Sequence, residues 1–230
     1  MLSMCVQVMF LYDERENNDA KSCLLDDGMK ECQGPALWVY NNAVFTDADF
    51  ENITKLGGAT KQSRTDQIGR FGLGFNAVYN VTEVPCFLSR HSIVIFDPHA
   101  IHLGRCVRDR SRPGVRIDLR RHRRSLRRFG NQFRPWDGVF GCNLLQSNAD
   151  VGETSYNGTL FRLPLRTATQ AARSEICSRP YTDKDVRDLL RMLSEAAESI
   201  LMFAQNVVRI SIHHLTKRAA AARASSDGEY

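Results

Sequence analysis

The chain has no C-x-x-C pair and no H-E-x-x-H. His99 and His102 stand together without a partner cluster, so neither a dithiol redox motif nor a zinc site can be read from it, and no metal ligands are expected. Its seven cysteines (Cys5, Cys23, Cys32, Cys86, Cys106, Cys142, Cys177) are odd in number and irregularly spaced. That pattern suits reduced, mostly buried thiols better than a disulfide framework. No apolar run approaches the roughly 18 residues that a membrane helix needs, and the apolar opening 1–11 is broken by Ser3 and Gln7. A basic n-region and a small-residue cleavage site are also missing, so no signal peptide is expected. The expectation is a cytoplasmic protein with no membrane partner.

What is present can build a core, since 43% of 230 residues are hydrophobic, enough for one domain. The net charge of +5 hides an asymmetry: residues 105–134 hold 12 arginines against Asp109 and Asp118, a local +10 that leaves −5 for the remainder.

Alternation of Val6, Val8, Phe10 and Tyr12 predicts a strand over 6–13, and a second, buried strand follows over 36–40 after the Gly34-Pro35 punctuation. Thr46 followed by Asp49 predicts a capped helix carrying Phe50, Ile53 and Leu56, stopped by Gly57-Gly58. Two strands around the turn 89–92 read as a hairpin over 86–96, and Asn157-Gly158 introduces a further strand to Arg166. Thr182 with Asp185 caps a helix whose Val186, Leu189, Leu190, Leu193, Ala197, Ile200 and Leu201 form one stripe, read as core packing. Val208, Ile210 and Ile212 alternate as a last strand.

The sharpest motif is Gly69-Arg70-Phe71-Gly72-Leu73-Gly74-Phe75, running into a helical pattern of Phe75, Val78 and Tyr79. Glycines let backbone amides approach phosphate oxygens, and a helix start favours negative charge. It is not a P-loop, because no Gly-Lys-Ser/Thr follows, and its glycines are not in Rossmann order.

The run from Ile68 to Phe75 resembles the phosphate-cradling loop and helix of the GHKL ATPases, most closely the ninety-kilodalton heat-shock chaperones. Residues 37–45 precede the loop and Asn157-Gly158-Thr159-Leu160-Phe161 follow it, in the order of that family. The wording Gly34-Pro35-Ala36-Leu37-Trp38-Val39-Tyr40-Asn41, Lys55-Leu56-Gly57-Gly58-Ala59-Thr60-Lys61 and Phe96-Asp97-Pro98-His99 is similar to sacsin-type domains in particular. The resemblance covers about residues 6–215.

It implies a Bergerat-type fold: an α/β two-layer sandwich with a mixed, largely antiparallel sheet and helices on one face. One domain is expected over 1–218, with an arginine-rich insertion over 105–134 and a disordered tail over 219–230. By resemblance Gly69, Gly72, Gly74 and Phe75 cradle the phosphates of ATP, with magnesium a further possibility, and Asn41, Asn42 and Thr159 meet adenine. The family carries an aspartate where Asn41 and Asn42 stand. An amide oxygen still accepts from the adenine amino group but lacks the charge that makes such a bond stronger. A plain strand-ending turn is the other reading of these asparagines, and a threonine in a strand is unremarkable by propensity. Lys61, in a lid over 59–67, could reach phosphate or simply be solvated.

The family's first helix bears a glutamate that activates water and an asparagine that holds magnesium, and the chain begins at the strand after it. Glu14 and Glu16 lie beyond that strand, so no catalytic residue is named and little or no hydrolysis is expected. The implied function is an ATP-binding, chaperone-like module that assists folding, with client or chaperone proteins as partners. The alternative is a non-catalytic module gripping an acidic partner or RNA through the arginines. Nucleic acid is not expected, because only Phe129, Phe133 and Trp136 accompany them.

Overall fold

A computed structural model describes residues 7–17, 22–53, 74–107, 114–145, 155–204 and 206–217. Seven strands form one sheet: β1 (Gln7–Asp13), β2 (Ala36–Asn41), β3 (Cys86–Arg90), β4 (Ser92–Phe96), β5 (Gly114–Asp118), β6 (Tyr156–Pro164) and β7 (Arg209–Leu215). Their order is β5-β4-β3-β6-β2-β1-β7, antiparallel throughout except for the parallel pair of β1 with β7. The sheet is therefore mixed and largely antiparallel, as the family resemblance implies.

The helices are α1 (Asp47–Ile53), α2 (Arg123–Arg128), α3 (Gly130–Phe133), α4 (Ala168–Ala171) and α5 (Asp183–Phe203). Both predicted caps form. The amide of Asp49 donates to the Thr46 hydroxyl at 3.2 Å, and Thr182 and Asp185 make a reciprocal capping box.

Because side chains alternate across a strand, each face carries its own core. One face presents Phe10, Tyr12, Leu37, Phe87, Val94, Phe161 and Leu163, covered by Phe50 of α1, by Val78 and Val81, and by Val186 and Leu190 of α5. The other presents Leu11, Trp38, Leu88, Ile93, Ile95, Ile117 and Leu160, covered by Met29, Leu103, Leu126, Phe133 and Trp136.

Helices on one face only is thus corrected. The long helix α5 lies on one side, but α2, α3 and the 3-10 turns Asp27–Cys32 and Arg134–Trp136 contribute to the larger core on the other. The arginine-rich stretch builds this second layer. It supplies the edge strand β5, and Leu119, Leu126 and Phe133 point inward at seven-residue intervals.

The α5 stripe is also only partly core. Val186 and Leu190 are buried, whereas Leu189 and Ile200 are about two-fifths exposed and Phe203 is 80% exposed.

Candidate functional site

Asn41 ends β2 and stands opposite Thr159 of β6, so two of the three predicted adenine residues share one rung of the sheet. Their side chains are already engaged. The Asn41 Oδ1 accepts from the Ala43 amide at 3.1 Å, which makes an Asx turn, and the Asn42 Oδ1 accepts from the Gln7 amide at 3.2 Å. Thr159 is wholly buried and its hydroxyl donates to the Ala43 carbonyl at 2.7 Å.

Ser89 completes this cluster, a residue that the sequence did not single out. Its hydroxyl donates to the Gly158 carbonyl at 2.9 Å, accepts from the Phe45 amide at 2.9 Å and lies 3.0 Å from Thr159 Oγ1. Two hydroxyl protons serve three oxygen contacts, so the cluster is sealed and saturated with acceptors. The available signal was a serine ending the otherwise apolar run from Cys86 to Leu88. Gly158 admits the close approach at this rung. Its φ is +141°, and a Cβ there would stand 2.6 Å from Tyr40 Cε2 and 2.7 Å from the Asn41 carbonyl oxygen.

Aromatic rings floor the same face. Phe87 is fully buried and lies 4.9 Å from Phe45, 5.7 Å from Phe50 and 5.4 Å from Phe161, ring centre to ring centre. Arg116 of β5 lies over Phe50 at 4.1 Å.

Of the predicted phosphate residues, Gly69 and Gly72 lie outside the described residues, as does Lys61. Gly74 and Phe75 are described. Gly74 has ordinary helical dihedrals and a Cβ added to it would meet nothing within 4 Å, so the fold itself does not require glycine there. Phe75 packs 5.3 Å from Phe96 and 6.3 Å from Phe161, which fixes the exit of the glycine run against the aromatic floor. The expected helix is a 3-10 segment, Phe75–Asn80. The Asn76 Oδ1 on it is buried and has no hydrogen-bond partner among the described residues.

The far end of that segment is held by Arg166, again missed by the sequence reading. Its guanidinium donates to the carbonyls of Tyr79, Asn80 and Thr82, to that of Arg179, and to the carboxylate of Glu83. Burial pushes the nearby Tyr79 hydroxyl up to about 12, so it stays protonated.

Glu14 and Glu16 serve structure. Glu14 receives His214 at 2.9 Å and Arg187 at 3.2 Å, and Glu16 pairs with Lys217. Among the described residues no group of three or more His, Cys, Asp or Glu converges as a metal site, and no helix is long and apolar enough to cross a membrane. A cavity of about 210 Å³ beside Leu88, Leu119 and Cys142 opens on the opposite face and is unconnected to this cluster.

A family model described as the Sacsin domain matches residues 4–226. The human protein Sacsin is 43% identical over 207 residues, which covers 90% of this chain and 4% of that protein. The chain therefore spans a small fraction of the length of the curated relative that it matches.

Proposed function

The chain belongs to the sacsin domain family, and on that premise we propose that it is an ATP-binding, chaperone-like module of the GHKL class, acting on client or chaperone proteins. One observation carries most of the weight. The rung of Asn41 and Thr159 and the exit of the glycine run at Gly74 and Phe75 lie over the same sheet face. Phe161 links them, two residues from Thr159 and in ring contact with Phe75. A nucleotide laid between them would place adenine at the strand end and phosphates at the glycines.

The side chains present fit this in part. Asn76 offers a buried acceptor oxygen that has no donor among the described residues, and a ribose hydroxyl or a bound water would supply one. Thr159 is different, since its proton is committed to the Ala43 carbonyl. In this reading Thr159 and Ser89 hold the loop after β2 in the shape that receives adenine, and Asn41 and Asn42 border it. Bound nucleotide supplies charge and hydrogen-bond acceptors to the backbone amides of the glycine run, acting as a conformational ligand.

Calorimetric titration of the chain with ATP, with and without magnesium, tests this. Binding in the wild type and its loss in Gly72→Asp/Gly74→Asp is the expected result, because added carboxylates repel phosphate. A folded wild-type chain that binds no ATP would overturn it.

A further inference from the structure

Apart from the nucleotide reading, α2 presents a concentration of charge of which the fold uses little beyond the Arg128 guanidinium lying over the Phe129 ring at 5.4 Å. Leu126 is the helix's buried anchor. At about 100° per residue, Arg124 and Arg128 point away from Leu126 and stand one turn apart, with Arg127 to the side. All three are exposed, as is Arg134 just beyond. The nearest acids are spent elsewhere: Asp118 pairs with Arg120 at 2.9 Å and Asp137 receives the Leu145 amide. Among the described residues no carboxylate lies within ion-pair distance of Arg124, Arg127, Arg128 or Arg134. The Arg120 guanidinium at the edge of this surface holds the Asp118 carboxyl well below the usual carboxylate range.

Local stability gives no reason for this arrangement. Like charges one turn apart repel and Arg124 in the first helical turn opposes the helix dipole, each costing a few tenths of a kcal/mol, while Arg127 and Arg128 in the last turn favour the dipole by a similar amount.

We propose that α2 and its flanking arginines form a docking surface for a short, carboxylate-rich segment of a partner protein. A planar guanidinium fork matches both oxygens of one carboxylate, and positions one turn apart can engage successive acidic side chains. Nucleic acid fits less well for three reasons. Phe133 and Trp136 are buried at 1% and 3% exposure and cannot stack on bases. A six-residue helix is about 9 Å long, too short to track a duplex. The rest of the chain carries −5, so a long polyanion would run from the patch onto a repelling surface.

The test is fluorescence anisotropy of the intact chain with a labelled oligoglutamate peptide, an oligouridylate of equal length and an RNA duplex as probes. Arg124→Gln/Arg127→Gln/Arg128→Gln is compared with the wild type, and thermal melting confirms folding of each. The expected result is salt-sensitive peptide binding that weakens by about tenfold or more in the variant, with little RNA binding. A lysine triple variant, which keeps the charge and loses the fork, should fall between the two and serves if the glutamine variant does not fold. No peptide binding by the wild type, equal binding by the variants, or tighter binding of either RNA than of the peptide overturns the proposal.

Discussion

Arg166 and Glu83 form an ion pair shut away from water, with the arginine side chain fully buried and the glutamate 6% exposed. The pair lies where β6 ends and where the segment after the glycine run turns back toward β3, and the same guanidinium satisfies four backbone carbonyls. A buried pair adds little net stability, but breaking it leaves an uncompensated charge. Arg166→Met should therefore cost about 3–5 kcal/mol in urea unfolding. Glu83→Gln, which retains the volume and an acceptor oxygen, should cost less. A loss under about 1 kcal/mol for Arg166→Met would show that the pair does not hold this junction.

Six of the seven strands were legible from alternation and turn chemistry because most apolar strand residues face a core, whereas β5 and the order of the strands were not, and both predicted caps depend only on residues three apart. The layer on the second face was not legible. There, Leu119, Leu126, Phe133 and Trp136 are single apolar residues among arginines, and composition windows register the charge while a seven-residue inward rhythm escapes notice. Arg166 and Ser89 were hidden for another reason. Each acts through backbone carbonyls or amides brought near by tertiary structure, and no local spacing signals that.

Acid should weaken the chain through Asp97. Burial raises this carboxyl, but the His102 imidazole and the amides of Leu103 and His102, the latter two at 2.7 and 2.8 Å, outweigh it and hold the group below the usual carboxylate range. A carboxyl depressed in the folded state contributes stability in full above the unfolded value and loses it as pH falls through the folded one. Stability should therefore drop below about pH 4, and Asp97→Asn should be less stable at neutral pH with a shallower acid limb. Equal acid limbs in denaturant melts at stepped pH would refute this.

The thiols should divide by burial. Cys23 is exposed, while Cys32, Cys86 and Cys142 are buried. Burial pushes Cys86 up to about 12 and raises Cys32 and Cys142 further still. The thiolate is the reacting species, so a disulfide reagent at neutral pH should modify Cys23 quickly and these three only as the chain unfolds. Mass spectrometry after timed labelling reads this out. Rapid modification of Cys32 or Cys86 in the folded protein would contradict the packing of the second face.

Along α5 the structure buries Leu190 of the predicted stripe and leaves Phe203, the last residue of the helix and outside that stripe, in solvent. Leu190 is 9% exposed against β1, β2 and β6 residues, so Leu190→Ala removes buried area and leaves a cavity, at about 2–4 kcal/mol. Phe203, 80% exposed, loses little on change to serine, within about 0.5 kcal/mol. Comparable losses at both sites would mean that the far half of the helix is packed in solution.

The hydroxyl cluster at the β2 and β6 rung offers the sharpest separation of fold from ligand. Thr159→Val keeps shape but removes the proton that binds the Ala43 carbonyl, leaving a buried acceptor without its partner and removing the hydroxyl beside Ser89. The expected loss is about 1–3 kcal/mol in unfolding free energy. Thr159→Ser keeps the hydroxyl and should recover most of it. If this loop shapes the adenine end of a nucleotide site, the valine variant should also weaken ATP binding beyond its effect on folding, measured well below its melting temperature. Loss of stability with unchanged nucleotide affinity would confine Thr159 to a structural role and move adenine recognition to the asparagines.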